Sequence, residues 1–102
     1  NAGFCYTYIN MKLKVTVNSV ANDCEYGGEQ VIPAVMGEYL LDEIFRLRFF
    51  RIIIDDIIED SLCFRLMEGG TPHYFVLNTE APVAEFHRDT SIGEDDFAFE
   101  LI

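Results

Sequence analysis

The chain has no tryptophan, three prolines and three cysteines among 102 residues, and basic side chains are scarce, with Lys+Arg at 7 against Asp+Glu at 18. Each shortage closes a class of functions. A formal charge of −11 is the wrong sign for tracking a phosphate backbone, because nucleic-acid binders concentrate cations to displace counterions. It also repels an anionic membrane surface and steers the chain toward cationic partners. Apolar runs are short. Arg46, Arg48, Arg51, Asp55 and Asp56 interrupt the richest one, so nothing approaches the roughly 18 to 20 apolar residues of a spanning helix. Membrane insertion is not expected.

Cys5, Cys24 and Cys63 are an odd, widely spaced set without a Cys-x-x-Cys pair, which points to reduced, mostly buried thiols rather than a disulfide framework or a zinc ribbon. Also absent are a Gly-x-Ser-x-Gly elbow, a phosphate-binding glycine loop, and an Asn-x-Ser/Thr sequon. No cofactor is expected. The chain opens Asn1-Ala2-Gly3 without Met, so residues 1–3 read as an added or trimmed start, with Met11 a second candidate start.

Apolar content is ample: half the residues are hydrophobic and nine are Phe, enough for one core in one domain spanning 1–102. The dominant pattern is alternation. Ile9, Met11, Leu13, Val15 and Val17 are apolar against polar Asn10, Lys12, Lys14 and Thr16, the period of a half-buried strand. Asn18–Gly28 reads as a loop, and Gln30–Met36, with Pro33 lacking a donor, as an edge strand or an irregular extended segment. Over residues 37–60 the polar positions scatter around a helical wheel, so strands are favoured, with a parity break at Phe49–Phe50 that predicts a bulge. A second break at Tyr8–Ile9 predicts another.

Phe50–Ile58 and Leu62–Leu66 flank the turn residues Glu59-Asp60-Ser61 as a hairpin. Strands at His73–Leu77 and Val83–Arg88 follow, then Phe97, Phe99 and Leu101 alternate after a turn-like Gly93-Glu94-Asp95-Asp96. The reading is all-β, a small antiparallel sandwich or barrel of about seven or eight short strands. The alternative is an α+β domain with a helix in residues 37–60.

Candidate sites are few. Asp89, Glu94, Asp95 and Asp96 form an acidic loop cluster of the hard-oxygen type that calcium uses, without EF-hand spacing. Asp55, Asp56, Glu59 and Asp60 resemble a carboxylate metal box only in spacing and read instead as an acidic turn open to a partner. His73, His87 and Cys63 would make a hydrolytic or metal site only by converging across strands. Arg46, Arg48, Arg51 and Arg65 read as cross-strand partners of Asp55, Asp56 or Glu68. The out-of-phase aromatics Phe4, Tyr6 and Tyr8 suggest a partner-binding segment or a homodimer by strand exchange.

With no convergent nucleophile and base, the chain reads as a non-enzymatic protein-binding or structural module. The alternatives are an acidic inhibitor or immunity-type protein that blocks a basic enzyme, and a metal-binding domain or hydrolase.

Overall fold

The computed structural model describes residues 11–21, 24–41, 50–90 and 93–102. Eight strands run β1 Lys12–Ala21, β2 Cys24–Pro33, β3 Gly37–Leu40, β4 Phe50–Ile58, β5 Ser61–Glu68, β6 Thr71–Leu77, β7 Val83–Thr90 and β8 Gly93–Leu101. They form two antiparallel sheets of four, in the order β2-β1-β8-β7 and β3-β4-β5-β6. The fold is all-β, a small sandwich of two separate sheets and not a closed barrel.

The chain route is simple. The first sheet is made of two hairpins, β1–β2 and β7–β8, joined where β8 pairs with β1 from Leu13↔Leu101 to Ala21↔Gly93. The second sheet is a four-strand meander inserted between those hairpins. Among the described residues no helix is long and apolar enough to cross a membrane.

Alternation dictates which side chains meet. Leu13, Val15 and Val17 of β1 and Phe97 and Phe99 of β8 face Phe50, Ile52 and Ile54 of β4 and Leu62, Phe64 and Leu66 of β5, all of them buried. The aromatic rings bridge the sheets. Phe99 lies 5.0 Å from Phe64 and 4.9 Å from Phe75, and Phe97 lies 5.1 Å from Phe50, centroid to centroid. These spacings suit tilted and edge-to-face ring packing, which adds to simple area burial.

Turn chemistry closes the meander. Gly69 and Gly70 take φ of 55° and 90° between the paired residues Glu68 and Thr71, the left-handed pair that a two-residue hairpin requires. At the β6-to-β7 crossing, the Asn78 side-chain oxygen accepts hydrogen bonds from the Glu80 and Ala81 amides at 2.9 and 2.8 Å, an Asx-type turn.

Several expectations need correction. Asn18–Gly28 is not a loop: β1 continues to Ala21, and β2 starts at Cys24. Gly27 lies opposite Asn18 within that ladder, and a Cβ there would come 2.9 Å from Asn18 Oδ1, so the glycine marks a close approach and not a turn. Pro33 does end an edge strand, but that strand is β2, and Gly37–Leu40 is a separate strand in the other sheet.

Gly93–Asp96 is likewise strand, the first half of β8. A register shift in β4 falls between Ile54 and Asp56, where two consecutive aspartates break the inward phase kept by Phe50, Ile52 and Ile54; the expected break at Phe49–Phe50 involves Phe49, which lies outside the described residues. The alternative helix finds strands at both ends of 37–60, while residues 42–49, with Arg46, Arg48 and Phe49, lie outside the described residues. So do Phe4, Cys5, Tyr6, Tyr8 and the break at Tyr8–Ile9.

Candidate functional site

Two groupings of polar side chains stand out, one between the sheets and one on an outer face. The first arises because the inward parity of three strands outlasts their apolar residues. After Leu13, Val15 and Val17 the next inward position of β1 is Ser19; after Ala84 and Phe86 that of β7 is Arg88; before Phe97 and Phe99 that of β8 is Asp95. The ladder sets Asp95 opposite both Ser19 and Arg88, so all three gather at one end of the sandwich.

There the Ser19 hydroxyl donates to Asp95, and the Arg88 guanidinium donates to Asp95 Oδ2 at 2.5 Å and reaches Glu68 Oε1 of the opposite sheet at 2.8 Å. Its charged carbon sits 4.8 Å from the Phe50 ring centroid, a cation–π distance. His73 of β6 packs on Phe86 at 4.5 Å, with Nε2 3.8 Å from Glu68 Oε2. Burial works against the Arg88 charge, but its hydrogen bonds to Glu68 and Asp95 outweigh that and hold its pKa above the ordinary value.

This is a staple between sheets rather than catalytic machinery. Ser19 is 1 % exposed, so no substrate carbonyl can approach its Oγ, and its hydroxyl is committed to Asp95. His73 belongs to the other sheet and faces Glu68. Cys63 points outward from β5 and His87 outward from β7, so Cys63, His73 and His87 do not converge. Among the described residues no group of three or more His, Cys, Asp or Glu side chains is placed to hold a metal ion.

The acidic residues singled out from the sequence are split by strand parity. Asp95 is buried in the staple, whereas Asp89, Glu94 and Asp96 are exposed on the opposite face of the same sheet. Asp55 pairs with Arg65 at 3.1 Å, and Asp56 accepts from the Ile57 amide at 2.9 Å. At the β4–β5 turn Glu59 adopts φ 56° and Asp60 accepts from Thr79 Oγ1 at 2.7 Å; that bond holds the Asp60 carboxyl below its ordinary pKa. Asp55, Asp56 and Asp60 are thus engaged locally, and Glu59 is exposed at the turn.

The second grouping is the outer face of the first sheet. In register across β2, β1, β8 and β7 its rows read Val31, Lys14, Glu100, Val83; Glu29, Thr16, Ala98, Glu85; Gly27, Asn18, Asp96, His87; and Glu25, Val20, Glu94, Asp89. Carboxylates crowd it, and the cations there are Lys12 and Lys14, the latter 3.3 Å from Glu29. Short Thr16 and Ala98 leave a shallow depression between Lys14, Glu85 and Glu100.

His87 bridges two of these acids, with Nδ1 2.6 Å from Asp96 Oδ1 and Nε2 3.2 Å from Glu85 Oε2. The hydrogen bond to Asp96, then that to Glu85, raises its pKa above the ordinary 6.5. Because the folded value is the higher one, the stabilisation is complete below 6.5 and is lost as pH rises through the raised folded value. A titration of the His87 ring followed by NMR is expected to show a midpoint above 6.5 that falls toward it in Asp96→Asn.

No protein family, no curated protein and no solved structure matches this chain.

Local composition hides the staple, because Ser19 and Asp95 lie in stretches with the residues of loops and Arg88 stands at the end of an apparent strand. The signal was there: carrying each alternation two residues further puts Ser19, Arg88 and Asp95 on the inward side. The acidic face needed more, since its rows come from strands far apart in sequence.

Proposed function

We propose that the chain is a non-enzymatic protein-binding module that engages a cationic protein surface through the outer face of its first sheet. The observation that supports this most is the direct cross-strand pairing of like charges, Asp89 opposite Glu94, with Glu25 in the same row. Like charges directly opposite destabilise a sheet by amounts comparable to the roughly 0.2–1 kcal/mol of a favourable pair. A surface that keeps them sacrifices stability for a field, and such a field accelerates encounter with an oppositely charged partner.

The same surface favours a second reading in which the partner is a basic enzyme and binding blocks it. Both readings are tested by affinity capture from the source organism with the wild-type chain and with a variant carrying Glu29→Gln, Glu85→Gln, Glu94→Gln and Glu100→Gln, which leaves the His87–Asp96 pair intact. Basic proteins recovered by the wild type, lost from the variant and released by raising salt are the expected result. Capture indifferent to both the substitutions and salt overturns the proposal. Loss of a captured enzyme's activity on titration with the chain selects the inhibitory reading.

A further inference from the structure

The acidic sheet ends in a strand with an open side. Among the described residues β7 pairs with β8, and no strand pairs with its other side. The phase of that ladder is set where the Leu101 amide donates to the Pro82 carbonyl at 2.8 Å. Hydrogen-bonded pairs alternate along an antiparallel ladder, so Ala84, Phe86 and Arg88 direct their backbone groups to Phe99, Phe97 and Asp95. Val83, Glu85, His87 and Asp89 direct theirs away from β8, toward the open edge. The pairing runs from Val83↔Glu100 to Thr90↔Gly93 without a register shift, and no proline interrupts it.

We propose that this edge binds an extended cationic segment of the partner as a fifth, antiparallel strand of the first sheet. The inference rests on the cationic-partner reading and adds where, and in what conformation, the partner is held. Unpaired backbone groups along a strand edge are a template for another chain. Side chains decide which chain. Glu85 and Asp89 stand among the edge residues themselves, and Glu94, Asp96 and Glu100 share their face on the adjoining strand. Acids at an edge repel a second copy of a chain of net charge −11 and favour a basic strand laid opposite them.

Packing selects β7 over β2, the other edge of the same sheet. The inward side chains of β7 include Ala84 and Phe86, apolar and only partly buried, which an added strand covers further. The inward positions of β2 are less suited. Gly28 and Gln30 offer no apolar side chain there, Ile32 is already 2 % exposed, and Pro33 lacks a donor. The incoming segment is therefore an alternating one. Its residues directly opposite Glu85 and Asp89 lie on the acidic face and are Lys or Arg, and those between them turn inward beside Ala84 and Phe86 and are apolar.

Calorimetric titration of the full chain at low salt with a capped synthetic peptide of alternating Lys and Val tests this. Methylating the peptide's Lys amides removes the donors that would face β7, whereas methylating its Val amides alters only the far side, and neither changes its charge. The Lys-methylated peptide is expected to bind about tenfold or more weakly than the Val-methylated one. In the complex with the unmodified peptide, amide hydrogen exchange at Glu85, His87 and Asp89 should slow about tenfold or more. Exchange at Ala84, Phe86 and Arg88, already bonded to β8, should change little. Equal binding of the two methylated peptides, or unchanged exchange at Glu85, His87 and Asp89, overturns strand addition while leaving the cationic-partner reading to the capture experiment. Failure of the unmodified peptide to bind overturns it as well. Slowing of the same amides in the free chain as its concentration rises places a second copy at the edge and overturns the choice of occupant.

Discussion

Replacing Arg88 by methionine is expected to lower the free energy of unfolding by about 1–3 kcal/mol, the cost of leaving the buried Asp95 carboxylate without its partner, because Arg88 itself is 26 % exposed and the pair is only partly buried. Methionine matches the length of the arginine stem, so packing against Phe50 survives while the charge goes. What remains is Asp95, whose side chain is 6 % exposed, with Ser19 as its remaining hydrogen-bond donor, and Glu68 stripped of its partner across the sheets. The penalty comes from leaving carboxylates uncompensated, not from the intrinsic worth of the bond. Arg88→Met combined with Asp95→Asn should therefore be less destabilised than Arg88→Met alone. Urea unfolding of the two single variants and the double variant measures this coupling, and additive losses would show that the staple holds the sheets less firmly than its geometry implies.

Phe99→Ala is expected to cost more, about 3–5 kcal/mol, by a different mechanism. Phe99 is 1 % exposed and contacts Phe64, Phe75 and Phe97 from the centre of the first sheet. Alanine leaves a void between two sheets whose rings cannot collapse into it without breaking strand pairing. No companion substitution of a charged residue should recover the loss, which separates it from the Arg88 case. Small domains have total stabilities of about 5–15 kcal/mol, so either change removes a large fraction. Thermal or urea denaturation checks the prediction, and a loss below about 1 kcal/mol would mean that the aromatic stack does not carry the core.

The two variants probe opposite ends of one design. The aromatic rings fill the middle of the sandwich, where alternation supplies apolar side chains from both sheets. The polar staple closes one end, where the same alternation continues with Ser19, Arg88 and Asp95. The outer face of the first sheet is left to the carboxylates Glu25, Glu29, Glu85, Asp89, Glu94, Asp96 and Glu100.

Much of this was legible in the order of residues. Period-two patterns at Leu13–Val17, Phe64–Leu66 and Phe97–Leu101 identify strands and their buried sides without any tertiary information, because side-chain direction in a strand depends only on parity. Gly69-Gly70 identifies its hairpin for the same local reason. Other local signals misled. Gly27-Gly28 and Gly93–Asp96 look like turns by composition, yet both lie in paired strands, since a neighbouring strand that supplies hydrogen bonds overrides weak intrinsic preference.

Sequence by itself determined the class, an all-β chain with a Phe-rich core and a strong negative charge, since composition and parity are local quantities. Only the tertiary structure decided between sandwich and barrel, brought Arg88 of β7 to Glu68 of β5, and aligned Glu25, Glu29, Glu85, Asp89, Glu94, Asp96 and Glu100 on one outer face. The reason is physical. Which strands become neighbours depends on how two hairpins and a meander close over a shared core, and no short stretch of sequence encodes that choice.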